Sequence, residues 1–212
     1  QYGRSHHASE IKGVGDYRAN FPVMNYRGLN QHLTEIQKGN YASILPEPLA
    51  CWVMTRGSTG PAKVLPATKK HLEQIFTCGA RALINYALRK RDLEVLTGRI
   101  LNLNFPSNVH TIDYHGHTMT YGYSSGTYAR LNPMFDKVSL LPRKEEIDAL
   151  GSGITMPDWE KRYELAYQQA LNENVTAAMG VTPVILSFAR YIKRKHRRKP
   201  EELWKVRALF CT

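Results

Sequence analysis

The stretch that most limits what this chain can become is Cys51-Trp52-Val53-Met54, followed at once by Thr55-Arg56-Gly57-Ser58-Thr59-Gly60-Pro61-Ala62-Lys63 and, after Thr68, by a long amphipathic run. A short continuous apolar run bounded by turn residues predicts a buried strand. The residues after it suit a loop that holds phosphate. Two glycines let the backbone turn tightly and aim its N–H groups inward, Ser58 and Thr59 add hydroxyl donors, and Lys63 adds a mobile cation. Thr68 is placed to cap a helix in which Leu72, Ile75, Phe76, Gly79, Leu83 and Tyr86 share one face. Arg89-Lys90-Arg91 ends it, where cations suit the helix dipole. Strand, glycine loop and helix in that order put a helix start behind the loop. Thr55, Gly57, Ser58, Thr59, Gly60 and Lys63 are the candidate phosphate-binding residues. The loop differs from the common P-loop, because Lys63 is followed by Val64 and not by the Ser or Thr that would hold Mg²⁺.

Elsewhere the pattern alternates between strands and helices. Residues 1–24 show no clear period and read as an irregular arm. Asn25 can cap a helix bearing Leu29, Leu33 and Ile36 on one face, with Gly39 at its left-handed end. Ile100 to Phe105 and Thr118 to Tyr123 read as strands, and Pro142 to Leu150 and Asp158 to Asn172 as helices, the second burying Trp159, Tyr163, Ala166 and Ala170. Val175 to Met179 is an apolar run, and Thr182-Pro183 marks the next helix start. Leu203 to Phe210 reads as a strand entering the core. Strands interleaved with helices predict an α/β fold. Gly122-Tyr123-Ser124-Ser125-Gly126 reads as a turn, with Ser124 and Ser125 as candidate substrate-binding residues.

The formal charge is +11, from 29 Lys and Arg against 18 Asp and Glu, and six of those cations lie in Lys193-Arg194-Lys195-His196-Arg197-Arg198-Lys199. Such a tract could bind nucleic acid by releasing counterions. It holds no aromatic residue and accompanies no recognised nucleic-acid motif, so a solvated helix end is the favoured reading and nucleic acid is not an expected partner. His110, Asp113, His115 and His117, like His6-His7, could ligate zinc, but their spacing matches no named motif; a polar hairpin around Gly116 is preferred and no metal site is assigned. Cys51, Cys78 and Cys211 are too far apart for a disulfide framework or zinc ribbon and read as core thiols. No apolar run reaches the roughly 18 residues of a membrane span and no signal peptide is recognisable, so a cytoplasmic protein is the expectation. No catalytic triad or carboxylate pair can be assigned from spacing.

Gly57, Ser58, Thr59, Gly60 and Lys63 resemble in type and order the glycine-rich signature of the adenylate-forming superfamily. Two departures are Arg56, where that signature usually has a small hydroxyl residue, and Pro61-Ala62 ahead of the lysine. The flanks, Phe21-Pro22-Val23-Met24-Asn25-Tyr26, the helix ending at Lys38-Gly39-Asn40, and Lys63-Val64-Leu65-Pro66, resemble the acyl-acid amido synthetases known from auxin-responsive plant genes, and especially their prokaryotic relatives. That likeness is best over residues 21–68.

The resemblance implies part of the large N-terminal domain of an adenylate-forming enzyme, with mixed sheets flanked by helices. Residues 1–212 would be an incomplete ATP- and acyl-binding domain, since the chain lacks an initiating Met and stops at Cys211-Thr212. The remaining parts would lie downstream, leaving this portion inactive alone. It further implies ATP and Mg²⁺ as cofactors, a carboxylic acid as substrate, and an amino acid or similar amine as acceptor, with CoA as the alternative. A basic nucleic-acid-binding module is the alternative of another class.

Overall fold

The computed structural model describes residues 2–57, 60–136 and 140–211. The fold is mixed α/β, with two four-stranded sheets and flanking helices. Two compact units form, one from Gln1–His71 with Thr111–Tyr121, the other from Leu72–His110 with Gly122–Thr212.

The first unit opens with short helices α1 (Tyr2–Ser5) and α2 (Val14–Asn20), where an irregular arm is expected from the sequence. Aromatic stacking orders this segment: Tyr2 lies on His6 at 4.2 Å between centroids, His6 on Phe21 at 5.2 Å, and Phe21 on Tyr17 at 4.9 Å. These rings are dispersed through a polar stretch, so no periodicity announces them. Asn25 is a cap as expected, its side chain accepting from the Gly28 N–H at 3.0 Å. It caps a 3-10 turn over Tyr26–Leu29, which leads into α3 (Asn30–Gln37). Gly39 closes the segment at φ 95°.

Strand β1 (Leu49–Met54) is buried from Cys51 onward, and it pairs antiparallel with β2 (Val64–Thr68), Met54 facing Val64 and Trp52 facing Pro66. The sheet order is β2-β1-β5-β4, where β4 is His110–Tyr114 and β5 is His117–Tyr123. Proline is tolerated in β2 because an edge strand has one side free of ladder bonds. His115 and Gly116, both at positive φ, make the two-residue turn between β4 and β5.

This pairing corrects one expectation. The chain does not pass from glycine loop to helix; β2 intervenes, and α4 (Lys69–Lys90) begins only after it. Val64, Leu65 and Ala67 favour a strand, and pairing with buried β1 settles the matter. Thr68 is still the helix cap, accepting from the His71 N–H at 3.2 Å.

In the second unit, β3 (Arg99–Leu103), β6 (Leu140–Leu141), β7 (Val175–Gly180) and β8 (Ala208–Cys211) form a parallel sheet of order β6-β3-β7-β8. Helices α7 (Met156–Ala170) and α8 (Thr182–His196) bury Tyr163, Ala166, Tyr167, Ala170, Phe188 and Ile192 in one core with Leu101, Leu103 and Ala178. Ala87 of α4, with Val95, packs in a second cluster with Ile100, Ala177 and Ala208. Neighbouring strand residues thus fall in different cores, which is why β3 and β7 are buried almost throughout.

Three further expectations change. Ser124, Ser125 and Gly126 are not a turn but the first residues of α5 (Ser124–Leu131), and Gly126 is buried there. A Cβ on Gly126 would overlap the Phe105 carbonyl, so the helix approaches that backbone only because the residue is glycine. Leu203 to Phe210 is a strand only in its last part; Leu203 ends a short helix α9 (Pro200–Leu203), and Trp204 is buried with its indole N–H donating to the Ala170 carbonyl at 2.7 Å. Of the cysteines, Cys51 is buried, whereas Cys78 and Cys211 are exposed.

Candidate functional site

The loop between β1 and β2 is closed at its base. The Thr55 N–H donates to the Lys63 carbonyl and the Lys63 N–H donates to the Thr55 hydroxyl, each at 2.9 Å. Within it the Gly60 N–H donates to the Gly57 carbonyl at 3.3 Å, and Gly57 sits at φ 70°. A Cβ on Gly57 would come within 2.8 Å of the Ala62 nitrogen and closer still to the Gly60 carbonyl. Only glycine makes this turn without strain. Thr55, Gly57, Gly60 and Lys63 therefore share one tight loop, while Ser58 and Thr59 lie outside the described residues. Arg56, Gly60, Pro61, Ala62 and Lys63 are exposed. The Lys63 ammonium stands 5.8 Å from the centroid of the Tyr26 ring.

Tyr26 is a residue that the motif alone does not reveal as part of the site. Its hydroxyl donates to the Val64 carbonyl and accepts from the Val64 N–H, both at 3.1 Å. Burial, with a smaller contribution from Tyr26, pushes the Tyr121 phenol up from its ordinary value. The arrangement offers a turned backbone and a solvent-facing ammonium, which are groups that take an anion. It has no carboxylate, and no group of three or more His, Cys, Asp or Glu among the described residues could hold a metal ion.

Ser124 and Ser125 belong to the second unit, at the carboxyl end of β3. From β3 the chain goes on to β6 at one side of the sheet, and from β7 it goes on to β8 at the other, so the carboxyl ends of β3 and β7 form a topological switch point. Open α/β sheets bind ligands at such points. The Tyr123 N–H donates to the Pro106 carbonyl at 3.1 Å, which fixes the start of α5 beside the segment leaving β3. Asp148, in the helix α6 (Lys144–Ala149), holds that segment by accepting from the Ser107 N–H at 2.8 Å and the Ser107 hydroxyl at 2.5 Å. Asn102, Asn104, Ser107, Gly126, Lys144 and Asp148 contribute to a small cavity there.

Arg162 secures α6 from behind. It is 4% exposed and donates to the Ile147 carbonyl at 3.4 Å and to the Gly151 carbonyl. Burial lowers its pKa, while Asp158 and Asp148 oppose that effect. Neither Asp148 nor Arg162 stands in a recognisable motif, and Asp148 bonds a residue 41 positions away.

Of the histidines between 110 and 117, His115 contacts α3. It docks on the end of that helix, its backbone N–H donating to the Gln37 carbonyl at 2.7 Å and its ring Nδ1 lying 3.2 Å from the Lys38 carbonyl. The basic tract is largely neutralised by acids. Arg194 pairs with Glu160, Lys195 and His196 with Glu164, Arg198 with Glu202, and Lys199 with Glu201. Glu164 is central. Burial raises its pKa, but hydrogen bonds from Gln168, Tyr191, Lys195 and His196 outweigh this and lower it to about 2. No helix among the described residues is long and apolar enough to cross a membrane.

A search among curated proteins finds no match. Among solved structures, the AtGH3.15 acyl acid amido synthetase in complex with 2,4-DB is similar, with a TM-score of 0.63 and 15% sequence identity, over 91% of this chain and 33% of that one. At that identity the likeness is one of fold, and this chain spans about a third of that protein's length. The GH3 family N-terminal domain matches residues 1–201, far beyond the 21–68 stretch that carries the resemblance in sequence. That match, over nearly the whole chain, shows that the chain belongs to the GH3 family, whose N-terminal domain it matches.

Proposed function

We propose that this chain is the phosphate- and acid-binding part of a longer ATP-dependent ligase, which activates a carboxylic acid as acyl-AMP and passes the acyl group to an amino acid or similar amine. The observation that carries this reading is the closed loop, with Gly57 turned to positive φ and the Lys63 ammonium exposed.

In the first step a carboxylate oxygen attacks the α-phosphorus of ATP, the bond to the bridging oxygen breaks, and pyrophosphate leaves. Two anions must approach, and charge builds on the leaving group. The backbone N–H groups of the loop and Lys63 spread that charge; such preorganised donors are each worth roughly 10²–10³ in rate. Ser58 and Thr59 complete the donor set in this reading. In the second step the amine nitrogen attacks the acyl carbon, AMP departs and the amine gives up a proton. Mg²⁺ would accompany ATP and neutralise phosphate charge; no carboxylate cluster for it is formed by the described residues. We assign the acid to the switch point at β3 and β7, with Ser124 and Ser125 on its rim. The adenine, the ribose and the amine are assigned to parts of the protein outside this chain. A cytoplasmic location accords with this chemistry.

The test is carboxylate-dependent ATP–pyrophosphate exchange by the intact protein, over aliphatic, aromatic and indolic acids. Exchange with some acids and not others is the expected result; none with any acid, from folded protein with Mg²⁺, contradicts the reading. CoA as acceptor is the second reading, and supplying CoA or amino acids to the adenylated acid separates the two. A nucleic-acid role is disfavoured by the ion pairs that occupy most of the basic tract.

A further inference from the structure

We propose that Tyr26 is the positioning residue for Lys63, which rests on the adenylation reading for its catalytic consequence but not for its geometry. Lys63 is the last residue of the loop and Val64 the first of β2. Tyr26 spends its single hydroxyl on both polar groups of Val64, at 3.1 Å each, so the backbone immediately behind Lys63 is held in both directions. Strand β2 is an edge of its sheet, where backbone groups not in the ladder otherwise face water and fray. The same side chain meets the lysine itself, since the Lys63 ammonium lies 5.8 Å from the ring centroid, within the range of a cation–π contact.

One residue thus fixes both the root and the tip of the loop's cation. The contact to the tip is the weaker kind, and a phosphate offers an ammonium a charge-assisted hydrogen bond that is stronger. The ring therefore parks the ammonium beside the loop without competing for it once ATP arrives. Tyr26 is itself placed by the 3-10 turn that Asn25 caps, so its position is set by elements outside the loop.

The experiment compares Tyr26→Phe and Tyr26→Leu in the intact protein, each also combined with Lys63→Ala, by ATP–pyrophosphate exchange. Tyr26→Phe keeps the ring and is expected to lower kcat/KM for ATP about tenfold; Tyr26→Leu loses both contacts and should cost on the order of a hundredfold, the scale of a small misplacement at a reacting centre. KM for the acid should not move. In the Lys63→Ala background both Tyr26 substitutions should have little further effect, because the group they position is gone. Equal losses with and without Lys63, or no loss in its presence, would overturn the proposal. A readout independent of activity is the upfield ring-current shift of the Lys63 side-chain methylene protons, expected in the wild type and Tyr26→Phe and lost in Tyr26→Leu. A wild type with the shift but no exchange would refute the adenylation reading and leave the Tyr26–Lys63 contact standing. Absence of the shift in the wild type would refute the contact itself.

Discussion

Thr55 and Lys63 close their loop in both directions, each donating its backbone N–H to the other residue, one to a carbonyl and one to a hydroxyl, at 2.9 Å. Thr55, expected from sequence to meet phosphate, thus has a prior task in shaping the loop. Thr55→Val keeps the volume and removes the acceptor. It should cost about 1 kcal/mol or less of stability, because water can reach the exposed Lys63, while exchange falls several-fold. Thr55→Ser should restore exchange. Chemical denaturation alongside kinetics checks both; a valine variant with wild-type exchange would assign the hydroxyl no part in the loop's shape.

Gly57→Ala is the sharper change. Alanine at φ 70° costs roughly 1–2 kcal/mol in backbone strain, and its Cβ meets the Ala62 nitrogen and the Gly60 carbonyl. Since the loop lies on the surface, the fold should survive with a modest drop in melting temperature while exchange falls on the order of a hundredfold. Circular dichroism with exchange kinetics separates the two effects.

Asp148→Ala leaves the buried Ser107 N–H and hydroxyl without their acceptor. Each orphaned group costs about 1–3 kcal/mol, so a loss of roughly 3 kcal/mol is expected in urea titration. Because Ser107 adjoins Pro106, which fixes the start of α5, KM for the acid should rise more than KM for ATP. Equal rises in both would argue against acid binding at the switch point.

Glu164 makes stability depend on acid. Its folded-state pKa of about 2 lies below the ordinary 4.5, so the ionised carboxylate stabilises the fold above pH 4.5 and that contribution is lost as pH falls toward 2. The groups facing it are Gln168 of α7 and Tyr191, Lys195 and His196 of α8. The wild type should melt above Glu164→Gln near neutral pH, with the gap closing between pH 4.5 and 2. A gap that does not change with pH would show that the carboxylate's charge is not what matters.

The sequence made the apolar strands and the long helices legible, because burial imposes a period or a run on every residue. Cys51 to Met54, the α7 face of Tyr163, Ala166 and Ala170, and Gly39 at the end of α3 all follow from local rules. What it hid depends on partners that no local pattern specifies. Val64 to Thr68 is a strand because β1 lies beside it. Ser124 to Gly126 is helical because Gly126 fits against Phe105. Gly57, Gly60 and Lys63 could be recognised by residue type, whereas Tyr26 and Asp148 become visible only when their bonds to Val64 and Ser107 are seen.

Whether this loop holds ATP phosphates for acid activation is decided by Lys63→Ala in the intact protein. With its substrate acid identified, the wild type should catalyse ATP–pyrophosphate exchange. The variant, folded by circular dichroism and unchanged in melting temperature, should lose about 10²-fold or more of that rate, as expected for removal of one preorganised charge donor. Exchange by folded Lys63→Ala at the wild-type rate would mean that the loop does not serve ATP.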